Sequence, residues 1–231
     1  FVENAVEPFS NCENLVAIYT PKFEANSEDV VMLEKITKVL NRKDCTNSEL
    51  FFHATEKLHK LQPTAESAYL MGKMKVKNED FIGGAKYLEE SISLFDNDED
   101  KVDAYYLLSN IYMHIKQFAK ARNYALAGLK IHPNDGNFYI TIGDMYAMSA
   151  KQCGGNDLTN KVAYWAAVDK YIKARNIDPS EKVKETANAR ISSYSKYFPP
   201  SETIFFHDLK EGDKYTVECW INETTTVRAA K

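Results

Sequence analysis

The sequence predicts an all-α solenoid of antiparallel helix pairs, closed by a small C-terminal β-hairpin. Three observations predict it. Turn punctuators are scarce, with nine Gly and seven Pro in 231 residues, about 7% against roughly 12% in average usage. A self-similar unit of about 34 residues recurs between residues 65 and 179, and a period of that size marks repeat architectures. After Pro199-Pro200 the apolar period changes from about 3.6 to 2, which ends the helical region and opens a strand-forming one.

Composition excludes classes rather than naming one. At 44% hydrophobic residues the chain can form a real core, which argues against disorder. Charge is nearly balanced, 29 basic against 33 acidic for a net −4, so there is no global attraction to nucleic acid or to an anionic membrane. No apolar stretch in the sequence approaches the roughly 18 residues of a membrane span.

The repeat is read from three aligned copies. The first, residues 65–98, runs AESAYLMGKMKVKNEDFIGGAKYLEESISLFDND; the second, 102–135, runs VDAYYLLSNIYMHIKQFAKARNYALAGLKIHPND; the third spans 136–179 and carries an insertion. In the second copy Tyr105, Leu108, Ser109, Tyr112, Phe118, Ala121 and Pro133 occupy the recurring places. Gly72, Phe81, Gly84, Leu88 and Ser91 do so in the first, and Tyr139, Ile142, Gly143, Tyr146, Tyr164, Ala167, Tyr171, Ala174 and Pro179 in the third. Small residues stand where two helices cross, aromatics fill the space beside each crossing, and stacked neighbours share the core that no unit can bury alone.

This pattern resembles the tetratricopeptide repeat (TPR), a helix–turn–helix unit. The resemblance implies a TPR α-solenoid, a right-handed superhelix, over residues 1–198. Its expected parts are degenerate units over 1–64, repeats over 65–98 and 102–135, an extended repeat over 136–179 and a capping helix over 180–198. In the degenerate region 12–25 reads as a lone second helix, Ser27 as the cap of a helix running to about 43, and Ser48 as the start of its partner. The chain opens on Phe1, part-way through a repeat, so further helices are expected upstream. The insertion AKQCGGNDLTNK in the third copy turns at Gly154-Gly155, with Asp157 or Thr159 as the next cap and both flanking helices expected to be lengthened.

The tail, 199–231, is expected to form a β-ribbon packed on the last helices, since a ribbon this small is marginal alone. Thr203–Phe206 is β-prone, and Tyr215, Val217, Cys219 and Ile221 alternate with polar neighbours and Trp220 before a turn at Asn222-Glu223 and a strand over 224–228. The stretches FFHDLKEGDKYTVECWINETTTVR, YWAAVDKY and NCENLVAIYTPKFEAN together resemble a group of exported bacterial TPR proteins, which implies a periplasmic or cell-envelope location. In an exported chain the helix placement favours a Cys12–Cys45 disulfide, since the two residues sit at one end of a helical hairpin. The loop it closes is worth roughly 3–4 kcal/mol in the chain-entropy model. Cys153 and Cys219 are the less favoured pair, requiring the ribbon to fold back on the third repeat. In an intracellular chain the four would be free thiols.

Catalytic chemistry finds little purchase. Neither HExxH, GxSxG, GxxxxGK[ST] nor GxGxxG occurs. His53 and His59 lie about 240° apart around one helix. The acidic run DNDEDKVD at 96–103 lacks the central Gly and terminal Glu of a calcium loop and reads as a helix-capping connector. We therefore expect no enzyme, no cofactor and no metal. The expected function is a protein–protein interaction scaffold whose concave groove, lined by the first helix of each unit, holds a peptide or protein segment. Projecting the motif places Glu66, Tyr69, Lys73 and Lys77 there from the first copy, Asp103, Tyr106, Asn110 and His114 from the second, and Asn137, Ile140, Asp144 and Met148 from the third. Tyrosines beside Lys and Asn suit peptide recognition, giving contact area at low entropy cost with polar groups to fix register; ordinary solvated or neighbour-packing positions remain the alternative. The carboxylate-binding Lys/Asn set of chaperone-binding TPR domains is not reproduced, although Asn110 matches one member. A second functional reading is a structural or assembly element of the bacterial envelope, docking through the ribbon and the long third hairpin. A third places an enzyme upstream of this chain.

Overall fold

Asn11 starts the first helix by accepting the Asn14 amide on its side chain at 2.9 Å, and from there to residue 230 the computed structural model describes the chain. The described residues divide between Asn97 and Asp98 into two compact units.

The first unit holds α1 (Cys12–Ala25), α2 (Val30–Arg42), α3 (Glu49–Leu61), α4 (Ala65–Lys77) and α5 (Phe81–Leu94). Side-chain caps set most of their starts. Asp29, not the expected Ser27, accepts the amides of Val31 and Met32, which moves the start of α2 two residues on. Ser48 caps α3, Thr64 and Ser67 form a reciprocal capping box on α4, and Asp80 accepts from Gly83 at the start of α5. Each cap satisfies an amide that has no partner within the helix. Leu15, Tyr19, Leu33, Ile36, Leu40 and Phe51 form the buried centre of this unit. Cys12 and Cys45 are disulfide-bonded with Cα atoms 5.3 Å apart, joining the start of α1 to the turn after α2. α4 and α5 cross at two glycines: a Cβ on Gly72 would lie 2.6 Å from Leu88 Cγ, and one on Gly84 2.7 Å from Val76 Cγ2.

The second unit opens with a 3-10 turn (Glu99–Lys101), followed by α6 (Val102–His114), α7 (Phe118–Ile131), α8 (Gly136–Ser149), α9 (Thr159–Ile177), α10 (Glu181–Ser195), α11 (Ser201–Phe206), β1 (Lys214–Val217) and β2 (Glu223–Thr226). The insertion lengthens only the second helix of its pair. α8 has 14 residues and α9 has 19, and the intervening residues close as a loop. That loop is locked by Asn156 and Thr159: Thr159 N donates to Asn156 Oδ1 at 2.7 Å, and Asn156 N donates to Thr159 Oγ1 at 3.0 Å. The residues 203–206, expected to be strand-like, lie in α11 instead. Pro200 immediately precedes that helix, where its fixed φ suits a helix start. Ile204 is buried and its carbonyl accepts from Leu209 N, so local packing outweighs the β-propensity of Thr, Ile and Phe.

β1 and β2 pair antiparallel, with Lys214 opposite Thr226 and Val217 opposite Glu223. The ribbon packs on α7 and α9, the second helices of their pairs, and on one side of α8. Trp220 stacks on Phe118 of α7 at 5.7 Å and meets Tyr146 edge-on at 5.3 Å. Arg122 of α7 donates to the Ile221 carbonyl at 2.6 Å. Cys153 and Cys219 are disulfide-bonded, Cα atoms 5.5 Å apart, tying the turn between the strands to the loop after α8.

Candidate functional site

The positions projected onto first helices fall on α4, α6 and α8. In the first unit, α4 exposes Glu66, Lys73 and Lys77 and half-buries Tyr69. Lys73 Nζ lies 5.6 Å from the Tyr69 ring centroid, a cation–π distance, and Lys77 reaches Thr46 Oγ1 at 3.3 Å. In the second unit, Asp103, Tyr106 and His114 are exposed on α6. Tyr106 rests edge-on against Phe138 of α8 at 5.5 Å, which fixes its ring without burying it. Asn110 donates Nδ2 to the Tyr106 carbonyl at 2.8 Å, so part of its hydrogen-bonding capacity is spent within its own helix. On α8, Asn137 and Met148 are exposed.

Two projected positions do not present an open surface. Ile140 is only 8% exposed, because the first helix of the third pair is covered on more than one side. Asp144 is engaged twice: Tyr171 OH donates to it at 2.7 Å, and Arg190 of α10 pairs with it at 3.0 Å. Burial raises its carboxyl above the ordinary value, opposed by the tyrosine hydroxyl and the guanidinium. Burial also pushes the Tyr171 phenol far up, so it stays a donor. Asp144 therefore joins α8 to α9 and α10 instead of facing a ligand.

No protein-family model matches the chain, and no curated protein matches it. Solved structures do. A crystal structure of MamA protein aligns with a TM-score of 0.56 at 22% identity, covering 70% of this chain and 79% of that one. A second MamA structure gives 0.52 at 20% identity, over 70% and 89%. YrrB, described with its crystal structure as a TPR protein with an unusual peptide-binding site, gives 0.47 at 16% identity, over 82% and 97%. The fold is a TPR-like helical repeat. What is shared at these identities is the fold alone.

The last TPR-like pair and its following helix build a feature the motif projection missed. Tyr164 of α9 stacks on Tyr194 of α10 at 5.8 Å and on Tyr197 just beyond it at 5.3 Å, and Tyr171 stacks on Tyr194 at 5.8 Å. The seven-residue spacing of Tyr164 and Tyr171 is a helical one-face spacing and was legible; that Tyr194 and Tyr197 come to meet them was not. Beside this cluster lies a cleft of about 380 Å³ lined by Lys151, Asn160, Lys161, Tyr164 and Tyr197. Burial raises the Tyr164 phenol above its ordinary value, with the neighbouring tyrosines adding to the shift. Among the described residues no group of three or more His, Cys, Asp or Glu side chains is placed to hold a metal ion, and no helix is long and apolar enough to cross a membrane.

Proposed function

We propose that this chain is a non-enzymatic protein-interaction scaffold that holds a peptide or protein segment on its first-helix faces. The observation that carries this reading is the position of the ribbon. It covers α7 and α9 through Trp220, Arg122 and Trp165 and one side of α8 through Tyr146, while the α6 and α8 positions Tyr106 and Met148 stay anchored but exposed. There Tyr106 is 37% and Met148 49% exposed, with Asp103 and His114 exposed on the same helix as Tyr106. A rigid aromatic, a pliable thioether and polar neighbours are the components of a peptide-binding surface. Panning a displayed peptide library against the protein tests it. Enriched peptides should bind wild type and lose most of their affinity for a Tyr106→Ala, Met148→Ala variant of unchanged helicity. Equal affinity for both proteins would remove the first-helix assignment.

Two disulfides fit an oxidising compartment, which accords with the periplasmic or envelope location that the resemblance to exported TPR proteins implies. A second reading, docking in an envelope assembly through the tail, is favoured by Phe205 and Phe206, 77% and 82% exposed on α11. On that reading Phe205→Ser with Phe206→Ser abolishes assembly while the Tyr106 and Met148 substitutions are silent.

A further inference from the structure

The cleft at the start of α9 has a charge pattern that helix stability does not account for. A helix N-terminus carries positive partial charge and favours Asp or Glu in its first turn. α9 opens Thr159-Asn160-Lys161, with no acidic residue in that turn and a lysine in it instead. Asp157, just before the helix, is already engaged by the Leu158 amide at 3.0 Å, by His207 Nε2 at 3.1 Å and by Thr203 Oγ1 at 3.4 Å. Lys151, from the loop after α8, lines the same cleft. Neither Lys151 nor Lys161 forms an ion pair among the described residues. A residue that works against its own helix terminus, without a compensating local partner, is the kind of local inconsistency expected at functional positions.

The rest of the wall is aromatic. Tyr197 is 55% exposed, yet its ring is held against Tyr164, so it offers area with little rotamer entropy left to lose. Asn160 adds an amide to the rim. The cleft volume of about 380 Å³ lies within the range of pockets that hold small ligands. Its chemistry calls for an anionic group attached to an apolar body. A nucleic acid is disfavoured, because the cleft offers only two lysines, whereas a polyphosphate backbone is held by many basic contacts.

We propose that this cleft binds an acidic peptide segment, seating a Glu or Asp carboxylate between Lys151 and Lys161 and a neighbouring apolar side chain on the rings of Tyr164 and Tyr197. Charge complementarity selects the carboxylate, and the tyrosine pair selects the residue beside it.

Fluorescence anisotropy on the whole chain tests it, using a labelled hexapeptide that alternates glutamate with phenylalanine. Binding should weaken as salt rises, and Lys151→Glu with Lys161→Glu should weaken it about tenfold or more. Tyr197→Ala should weaken it by a smaller factor that salt does not change. Because Lys161→Glu supplies the missing acid in the first turn of α9, the double variant should melt no lower than wild type, separating loss of binding from loss of fold. Three outcomes overturn the proposal: unchanged affinity in the charge-reversed protein, equal binding of the same peptide with glutamine for glutamate, or binding of tetragalacturonate with none of the peptide.

Discussion

Trp165 and Arg228 are tied to each other twice. The indole Nε1 of Trp165 donates to the Arg228 carbonyl at 2.7 Å, and Arg228 Nη2 donates back to the Trp165 carbonyl at 2.7 Å. The same guanidinium nitrogen reaches Asp169 Oδ1 at 2.8 Å and Thr225 Oγ1 at 3.3 Å. The middle of α9 is thus joined to the chain just after β2, and the ribbon cannot lift away without exposing a fully buried tryptophan.

Arg228→Ala should therefore destabilise the second unit by about 1–3 kcal/mol, the range for hydrogen bonds to charged groups and for the acceptors left unpaired. The Asp169 ion pair contributes little of this, because the Asp169 side chain is 41% exposed and solvent screens it. Trp165→Phe removes the N–H together with part of a fully buried indole, so it should cost about 2–3 kcal/mol from the lost hydrogen bond and the cavity. Urea unfolding followed by far-UV circular dichroism measures both. An unchanged midpoint for Arg228→Ala would mean that the Arg228 contacts add nothing to the helices beneath the ribbon.

Gly143→Ala should destabilise the crossing of α8 and α9. An added Cβ would lie 2.5 Å from Tyr171 Cε1, and Tyr171 is buried and hydrogen-bonded to Asp144, so the ring has nowhere to move. Overpacking of this kind costs about 1–3 kcal/mol, against roughly 1 kcal/mol gained from the better helix propensity of Ala. Gly155→Ala is the control, since its Cβ would meet nothing within 4 Å. Thermal melts should rank Gly143→Ala below Gly155→Ala.

Each disulfide should stabilise its own unit. The Cys12–Cys45 bond spans 33 residues and the Cys153–Cys219 bond 66, which the chain-entropy model converts to about 4 kcal/mol each. Replacing one pair at a time with Ser, and following unfolding by hydrogen exchange, should lower protection in the first unit for Cys12/Cys45 and in the second for Cys153/Cys219. Uniform loss across both units from either pair would contradict this division.

The start of α5 should be acid-sensitive. Asp80 accepts the Gly83 amide and lies 3.2 Å from Lys75, and these, the amide first, hold its carboxyl below the ordinary value of 3.8. The folded pKa lies below the unfolded one, so the stabilisation is complete above the unfolded value. It is lost as pH falls below about 3.8 and through the folded pKa. Asp80→Asn keeps a capping acceptor but cannot titrate, and should flatten this part of the acid limb. Carbon-13 NMR titration of the Asp80 carboxyl checks the direction of the shift.

The helical repeat was legible because its signals are local and redundant. Gly72, Gly84 and Gly143 stand at crossings that the spacing alone identified, and Ser48 caps its helix as composition suggests. Other elements were less accessible. Ser27 and Asp29 are equally good caps on paper, and the backbone chose Asp29. Thr203, Ile204 and Phe205 favour strand individually, yet the burial of Ile204 and the position of Pro200 make a helical turn. Ile140 and Asp144 carry the repeat pattern of groove positions, but the covering of α8 and the reach of Arg190 are set by the path of α10.

Periodicity, small crossing residues and turn chemistry act over a few residues at a time, and they suffice to make this chain a helical repeat ending in a short β-ribbon. Where the ribbon lies, how Cys153 and Cys219 come within bonding distance, and which tyrosines gather beside Lys151 and Lys161 are set by packing across the fold. Those contacts join residues tens of positions apart, and their geometry follows from how whole helices stack, which no local pattern encodes.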